Sequence, residues 1–301
     1  MTPNNQLARD SEVMTTYPLS LEQIKKYHEE GFVIVPRMFE LSEIRPIQEI
    51  LDVDPALGGS RTICTNRDGG NFQVSLWTEL GNTLVGSIPR MARIVDAVEA
   101  LISRECYHWH SKILSKHPGE GGVDWHQGYG SWYENGCLFP DLVTCTIALS
   151  ANDRENGCLE VLRKSHLLGR LTRVGLNGMG SAGPEPQRLE KIMERLELVY
   201  CEMEPGDALF FHANTLHGSA GNQSKDRPRH LMHCTYNAAD NAPFILENQE
   251  HHRYKKLTKV PDDFIKKACY SEVFNEKDFH PPETAENGRR NIFFNRREDY
   301  Q

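Results

Sequence analysis

No two of the eight cysteines stand as C-x-x-C, and their scatter along the chain excludes a zinc ribbon and suggests no disulfide framework. They read as reduced thiols, most of them small fillers of a core. No apolar run approaches the roughly 18–20 residues that a membrane helix requires, and Met1 to Ser11 lack the apolar region of a signal peptide. The expectation is a cytoplasmic protein with no membrane partner. Basic charge is also scarce, with 34 Lys and Arg against 42 Asp and Glu and a formal net charge of −8. Nucleic acid and anionic membrane surfaces attract the opposite balance, so no nucleic acid is expected as a partner and a small-molecule substrate fits better. Internal repeats and low-complexity segments are absent too.

What is present is an ordinary globular balance, 39% apolar and 25% charged over 301 residues, enough to bury one large core. Ser20 is placed to cap a helix in which Leu21, Ile24 and Tyr27 recur at helical spacing; Gly31 ends it and FVIVP follows as a strand. Further helices are expected at Ser42 to Leu51 and Ile88 to Ile102. From Tyr107 the texture changes to short β-like runs, YHWHSKILSK, VDWHQGYGSWY, LVTCTIALS and CLEVL, separated by Gly, Asn, Asp and Pro. A helical insertion, PEPQRLEKIMERLE, puts Leu189, Ile192, Met193 and Leu196 on one face before LVYCEM, DALFFH and HLMHCTYNA resume the β pattern. This reads as a β-core over about residues 105–240 with helices before it, in the manner of a sandwich or barrel. Residues 1–18 form a polar N-terminal segment, 19–240 the domain, and 241–301 a polar extension expected to pack on it.

Thirteen histidines are too many for all to carry chemistry, so context must select among them. His126 sits in DWHQG inside an alternating strand pattern, and His217 follows the strong strand DALFFH between two turns. Arg229, twelve residues beyond His217, opens the next strand, where its guanidinium can grip a carboxylate through two parallel hydrogen bonds. Arg227 beside it reads as a surface ion pair. By spacing alone Lys112, Lys116 and Arg61 are solvated charges, with contact to an anionic substrate as the functional alternative. Tyr129, Trp132 and Tyr133 read either as core or as flat walls of a pocket.

In this order the segments LSLEQIKKYHEEGFVIVPRMF, HSKILSKHPGEGGVDWHQGYGSWY, ENGCLEVLRKSH and GDALFFHANTLHGS, the last followed by DRPRH, resemble the phytanoyl-CoA dioxygenase family of non-haem iron oxygenases. The resemblance spans roughly residues 19–240. It implies an all-β core with flanking helices (α+β), folded as a double-stranded β-helix or jelly roll. It also implies Fe(II) held by two histidines and a carboxylate, with 2-oxoglutarate and O2 as co-substrates. Carried over by position, His126 and His217 become the metal ligands, Arg229 clamps the distal carboxylate of 2-oxoglutarate and Ser219 supports it. Thr146 and Lys112 fall where the family lines the co-substrate pocket, while Asn156, Gly157 and His166 look architectural.

The family's metal motif is H-x-D, and here it reads His126, Gln127, Gly128. A two-His-one-carboxylate triad with open positions marks Fe(II) oxygenases, so loss of the carboxylate alters the metal's chemistry more than its fold. The non-haem iron halogenases resemble the same superfamily, carry Gly or Ala at this position, and let chloride or bromide occupy the vacated site. Gly128, taken as lying in a strand, therefore raises the expectation of a halogenase that chlorinates or brominates an unactivated C–H bond of a small molecule. Two alternatives stay open: a hydroxylase, with Asp124 supplying the carboxylate or Gly128 standing for Asp in a changed enzyme, and a catalytically inactive metabolite-binding protein that keeps Arg229.

Overall fold

The computed structural model describes residues 19–51, 61–78, 80–174, 183–245 and 252–267. Expectations for residues 1–18, for Cys269 and for the tail past residue 267 lie outside them. A capping box opens helix α1 (Leu21–Glu30): Ser20 Oγ accepts the Gln23 amide N–H at 3.2 Å, and Gln23 Oε1 accepts that of Ser20 at 2.9 Å. Gly31 ends the helix at φ 86°, where a Cβ would also meet His166 Nδ1 at 2.4 Å, so both backbone and space demand glycine. The chain runs on through β1 (Phe32–Val35), α2 (Leu41–Ile50), β2 (Thr62–Thr65) and β3 (Asn71–Trp77). The helix expected over Ile88 to Ile102 is broken. Ile88–Arg90 forms a 3-10 turn, Met91 is extended at φ −62° and ψ 134°, and a helix resumes at Ala92–Ile102. Met91 is drawn out because it bridges Val260 of the C-terminal segment.

The core strands are β4 (Cys106–Lys116), β5 (Val123–His126), β6 (Leu142–Ala148), β7 (Leu159–Leu162), β10 (Leu198–Cys201), β11 (Ala208–His212), β12 (His217–Ser219) and β13 (Arg229–Ala238). Between β7 and β10 lie a short ribbon, β8 (Arg173–Val174) with β9 (Gly183–Pro184), and the expected helical insertion, Pro186–Met193. The strands form two antiparallel sheets. The larger is ordered β1-β11-β6-β13-β4-β3-β2 and the smaller β10-β7-β12-β5. β1 to β4 all join the larger sheet; from β4 onward the core strands alternate between the two sheets except from β7 to β10, the connectivity of a jelly roll.

Strand period decides which side chains look into the space between the sheets. Along β13, Met232 and Cys234 join the core under the helices, with Ile94, Val95 and Val98, while Leu231 belongs to the core between the sheets. Arg229 and His233 share the face of Leu231. All seven described cysteines are buried thiols, with no disulfide among the described residues. Among the described residues no helix is long and apolar enough to cross a membrane.

Helix α2 is fastened to Ala92–Ile102 by a buried bidentate pair: Arg93 donates to both carboxylate oxygens of Glu43 at 2.9 Å, with Arg93 8% and Glu43 4% exposed. Arg93 also pairs with Asp262 at 3.2 Å, so it is removal of Arg93 that strands a charge, the Glu43 carboxylate, in the interior. Arg93→Met is expected to cost about 3–5 kcal/mol of unfolding free energy in urea titrations. Glu43→Ala with Arg93→Met together should cost clearly less than Arg93→Met alone.

Candidate metal and co-substrate site

Antiparallel pairing of β5 with β12 sets His126 directly opposite His217. Their ring centroids lie 4.2 Å apart at an interplanar angle of 49°, and each side chain is 8% exposed. His126 Nδ1 is 2.8 Å from the Asp124 carbonyl oxygen, and His217 Nδ1 is 2.9 Å from that of Thr215. A carbonyl only accepts, so both Nδ1 atoms carry hydrogen and both Nε2 atoms carry a lone pair, the tautomer a metal ligand needs. Burial, then the neighbouring His217, holds His126 well below the usual histidine range, and burial lowers His217 to about 4. Both rings are therefore neutral at pH 7, as ligation requires.

The histidines open on a small cavity between the sheets. Arg229 lines it and is 1% exposed. Its Nε donates to the Gly157 carbonyl at 3.0 Å, while Nη1 is buried without a hydrogen-bond partner. Burial lowers the guanidinium to about 10, which leaves it charged. Beside it in register stands Lys116, completely buried, whose Nζ donates to Ser219 Oγ at 2.7 Å, to Gly157 O at 3.2 Å and to Ala220 O. Burial, reinforced by the Arg229 charge, pushes Lys116 well below its ordinary range. Gly157, at φ 75°, makes the turn that presents its carbonyl to both cations. The bland reading of Lys116 as a solvated charge is thus overturned, whereas Arg227 does form surface ion pairs, with Asp153 and Glu155.

Of the residues singled out in the sequence, His126, His217, Arg229, Ser219 and Lys112 line this one cavity. Burial lowers Lys112 to about 8. Thr146 does not line it; its hydroxyl lies 2.7 Å from Nδ1 of His233, which does. His233 escaped the sequence reading. The signal for His233 was its even spacing from Arg229 along β13, which places both on the inward face.

Gly128 needs correcting. It does not lie in a strand: β5 ends at His126 and a helix spans Gly128–Glu134. Tyr129, Trp132 and Tyr133 fall at i, i+3 and i+4, a helical spacing masked by the β preference of aromatic residues. Gln127 fixes the corner, donating to the carbonyls of Gly169 and Asn214 and accepting the Leu171 N–H. A Cβ on Gly128 would stand 2.5 Å from Cη2 of Trp132, whose ring is packed in a buried cluster with Tyr107, Trp109 and Leu142. The Asp124 carboxylate accepts the Arg67 backbone N–H at 3.0 Å and is not part of the cavity lining. Among the described residues no group of three His, Cys, Asp or Glu side chains is arranged to hold a metal.

A sequence profile of the phytanoyl-CoA dioxygenase (PhyH) family matches residues 27–231. The chain belongs to that family. Family membership makes it a non-haem iron- and 2-oxoglutarate-dependent dioxygenase. It is 25% identical over 272 residues to an ectoine dioxygenase of Stutzerimonas stutzeri, covering 82% of this chain and 89% of that protein. It is 33% identical over 146 residues to a methylphosphonate hydroxylase of Gimesia maris, covering 48% and 51%. EctD from S. alaskensis shares the fold: its structure with bound Fe aligns at a TM-score of 0.67 and 22% identity, covering 85% of this chain and 92% of that one. Its structure with 2-oxoglutarate and 5-hydroxyectoine aligns at a TM-score of 0.66, likewise with 22% identity, covering 88% and 95%.

The site suits the family's cofactors on its own geometry. The orphaned Arg229 Nη1 matches a carboxylate of 2-oxoglutarate, and the facing Nε2 lone pairs match ferrous iron. The third protein ligand of the family pattern is absent at position 128. Gly128→Ala is expected to cost about 1–3 kcal/mol by overpacking against Trp132, although alanine otherwise favours a helix. In a Trp132→Ala background that cost should disappear. Thermal or urea unfolding of the four proteins in this cycle checks it, and simple additivity would contradict the packing.

Proposed function

We propose that this chain is an Fe(II)- and 2-oxoglutarate-dependent hydroxylase of a small molecule. The observation that carries the reading is the convergence of two neutral imidazoles and a buried, incompletely bonded Arg229 on one cavity. His126 and His217 would hold the iron. Arg229, with Ser219 positioned by Lys116, would hold the distal carboxylate of 2-oxoglutarate, and Lys112 would face it from β4. Bound iron with 2-oxoglutarate and O2 supplies the oxidising power to cleave an unactivated C–H bond, releasing succinate and carbon dioxide. The protein orients both partners among buried side chains, where each charge–charge contact is stronger than in water. The names of the relatives, dioxygenase and hydroxylase, support oxygen insertion.

Halogenation with chloride or bromide is the second reading, favoured by the missing carboxylate at Gly128. Indole carbons of Trp132 fill the space where a side chain at 128 would begin, and that favours hydroxylation.

Anaerobically loaded protein, given O2, 2-oxoglutarate, chloride and a panel of small molecules that includes ectoine, should form succinate and a product with one added oxygen, read by mass spectrometry. A product that gains chlorine in place of oxygen establishes the second reading. Absence of succinate with every substrate leaves only a metabolite-binding role. Arg229→Leu should weaken 2-oxoglutarate binding by about 2–5 kcal/mol, roughly 30-fold or more, in calorimetric titrations.

A further inference from the structure

Arg67 carries a charge that neither the fold nor the proposed reaction uses. It lies in the turn between β2 and β3, where its backbone N–H donates to the Asp124 carboxylate at 3.0 Å. That bond ties the turn to β5, the edge strand of the smaller sheet, which ends in the candidate ligand His126. Gly183 of β9 lies against the same edge: a Cβ there would meet the Trp125 carbonyl oxygen first and then Arg67 Nη2 at 3.3 Å. The guanidinium is thereby held between the β2–β3 turn and the β8–β9 ribbon, beside the residue that precedes His126.

Two of its nitrogens, Nε and Nη2, are buried with no hydrogen-bond partner. The nearby Asp124 carboxylate serves the backbone N–H of Arg67 and neither of these two atoms. A guanidinium only donates, so no choice of tautomer or bond direction can satisfy them within the protein. Nε–H and the adjacent Nη2–H point the same way, and they are the side-on fork that takes two oxygens of a carboxylate or phosphonate in parallel. Buried donors left open are unfavourable and rare in folded proteins, so a pair of ligand oxygens is their natural partner. Arg67 is not part of the cavity lining that holds Arg229, so this fork is separate from the co-substrate clamp.

We propose that Arg67 anchors the primary substrate by a carboxylate or phosphonate group, gripped side-on at the edge of β5, while the carbon to be oxidised lies toward His126. The substrate is thus a small molecule that bears an oxyanion. This rests on the oxygenase reading above.

The test is calorimetric titration of acetate, methylphosphonate and, as an uncharged control, acetamide into protein loaded with 2-oxoglutarate and Mn(II), which prevents turnover. At least one of the two anions is expected to bind, and acetamide is not. Arg67→Met should weaken the bound anion about tenfold or more, the range lost with charged hydrogen bonds, and Arg67→Lys, which keeps the charge without the fork, should lose less. Affinity for 2-oxoglutarate should move less than about threefold in either variant, which also shows that both are folded. A second readout separates binding from architecture. Because Nε and Nη2 bond to nothing in the free protein, Arg67→Met should not lower its urea midpoint, and the anion should raise the midpoint of the parent but not of this variant. The proposal is overturned if neither anion binds, if acetamide binds as well as they do, if Arg67→Met binds the anion as the parent does or lowers the midpoint of the free protein, or if the loss appears in 2-oxoglutarate affinity instead. Failure of the parent to bind 2-oxoglutarate would sink the oxygenase reading; retained 2-oxoglutarate binding without anion binding sinks this one alone.

Discussion

The antiparallel pairing of β5 with β12 is the constraint on which the candidate site depends, because it brings two imidazoles ninety-one positions apart to within 4.2 Å between ring centroids. Each ring is then oriented by a carbonyl two residues before it on its own chain, from Asp124 and from Thr215. The strand edges that make the pairing thus also set the tautomers. Around that pair the cavity is lined by Arg229, with Lys116 beside it on the larger sheet, by Ser219 two residues past His217, and by His233 further along β13.

Buried cations of this kind are tolerable only because backbone carbonyls take their hydrogen bonds. Gly157 accepts from both Arg229 and Lys116, and Ala220 accepts from Lys116. Carbonyls satisfy donors without cancelling charge. The cavity is therefore held ready for an anionic occupant, and the unpartnered Nη1 of Arg229 marks where a ligand oxygen would complete the bonding.

Local physics was legible in the sequence wherever a short segment carries its own signal. The capping box at Ser20, the stop at Gly31, the strand FVIVP and the amphipathic insertion at Pro186–Met193 all follow from spacing and cap chemistry. The jelly roll was legible through ordered family segments. The aromatic run after His126 was misread because Tyr, Trp and Tyr favour strands, while their spacing and the contact of Trp132 with Gly128 fit a helix. The break at Met91 was invisible because its cause, the bridge to Val260, lies far along the chain.

By itself the amino-acid sequence determined the candidate ligands His126 and His217, the candidate clamp Arg229 and the missing carboxylate at Gly128, since these depend on residue type and order. Only the tertiary structure decided that Lys116 is buried, that Thr146 orients His233 and does not line the cavity, and that Asp124 is turned onto the Arg67 amide. The reason is physical: a residue's type states which bonds it can make, but strand register and the packing of two sheets choose its partners. For a charged side chain that choice separates a solvated surface group from one that shapes a binding site.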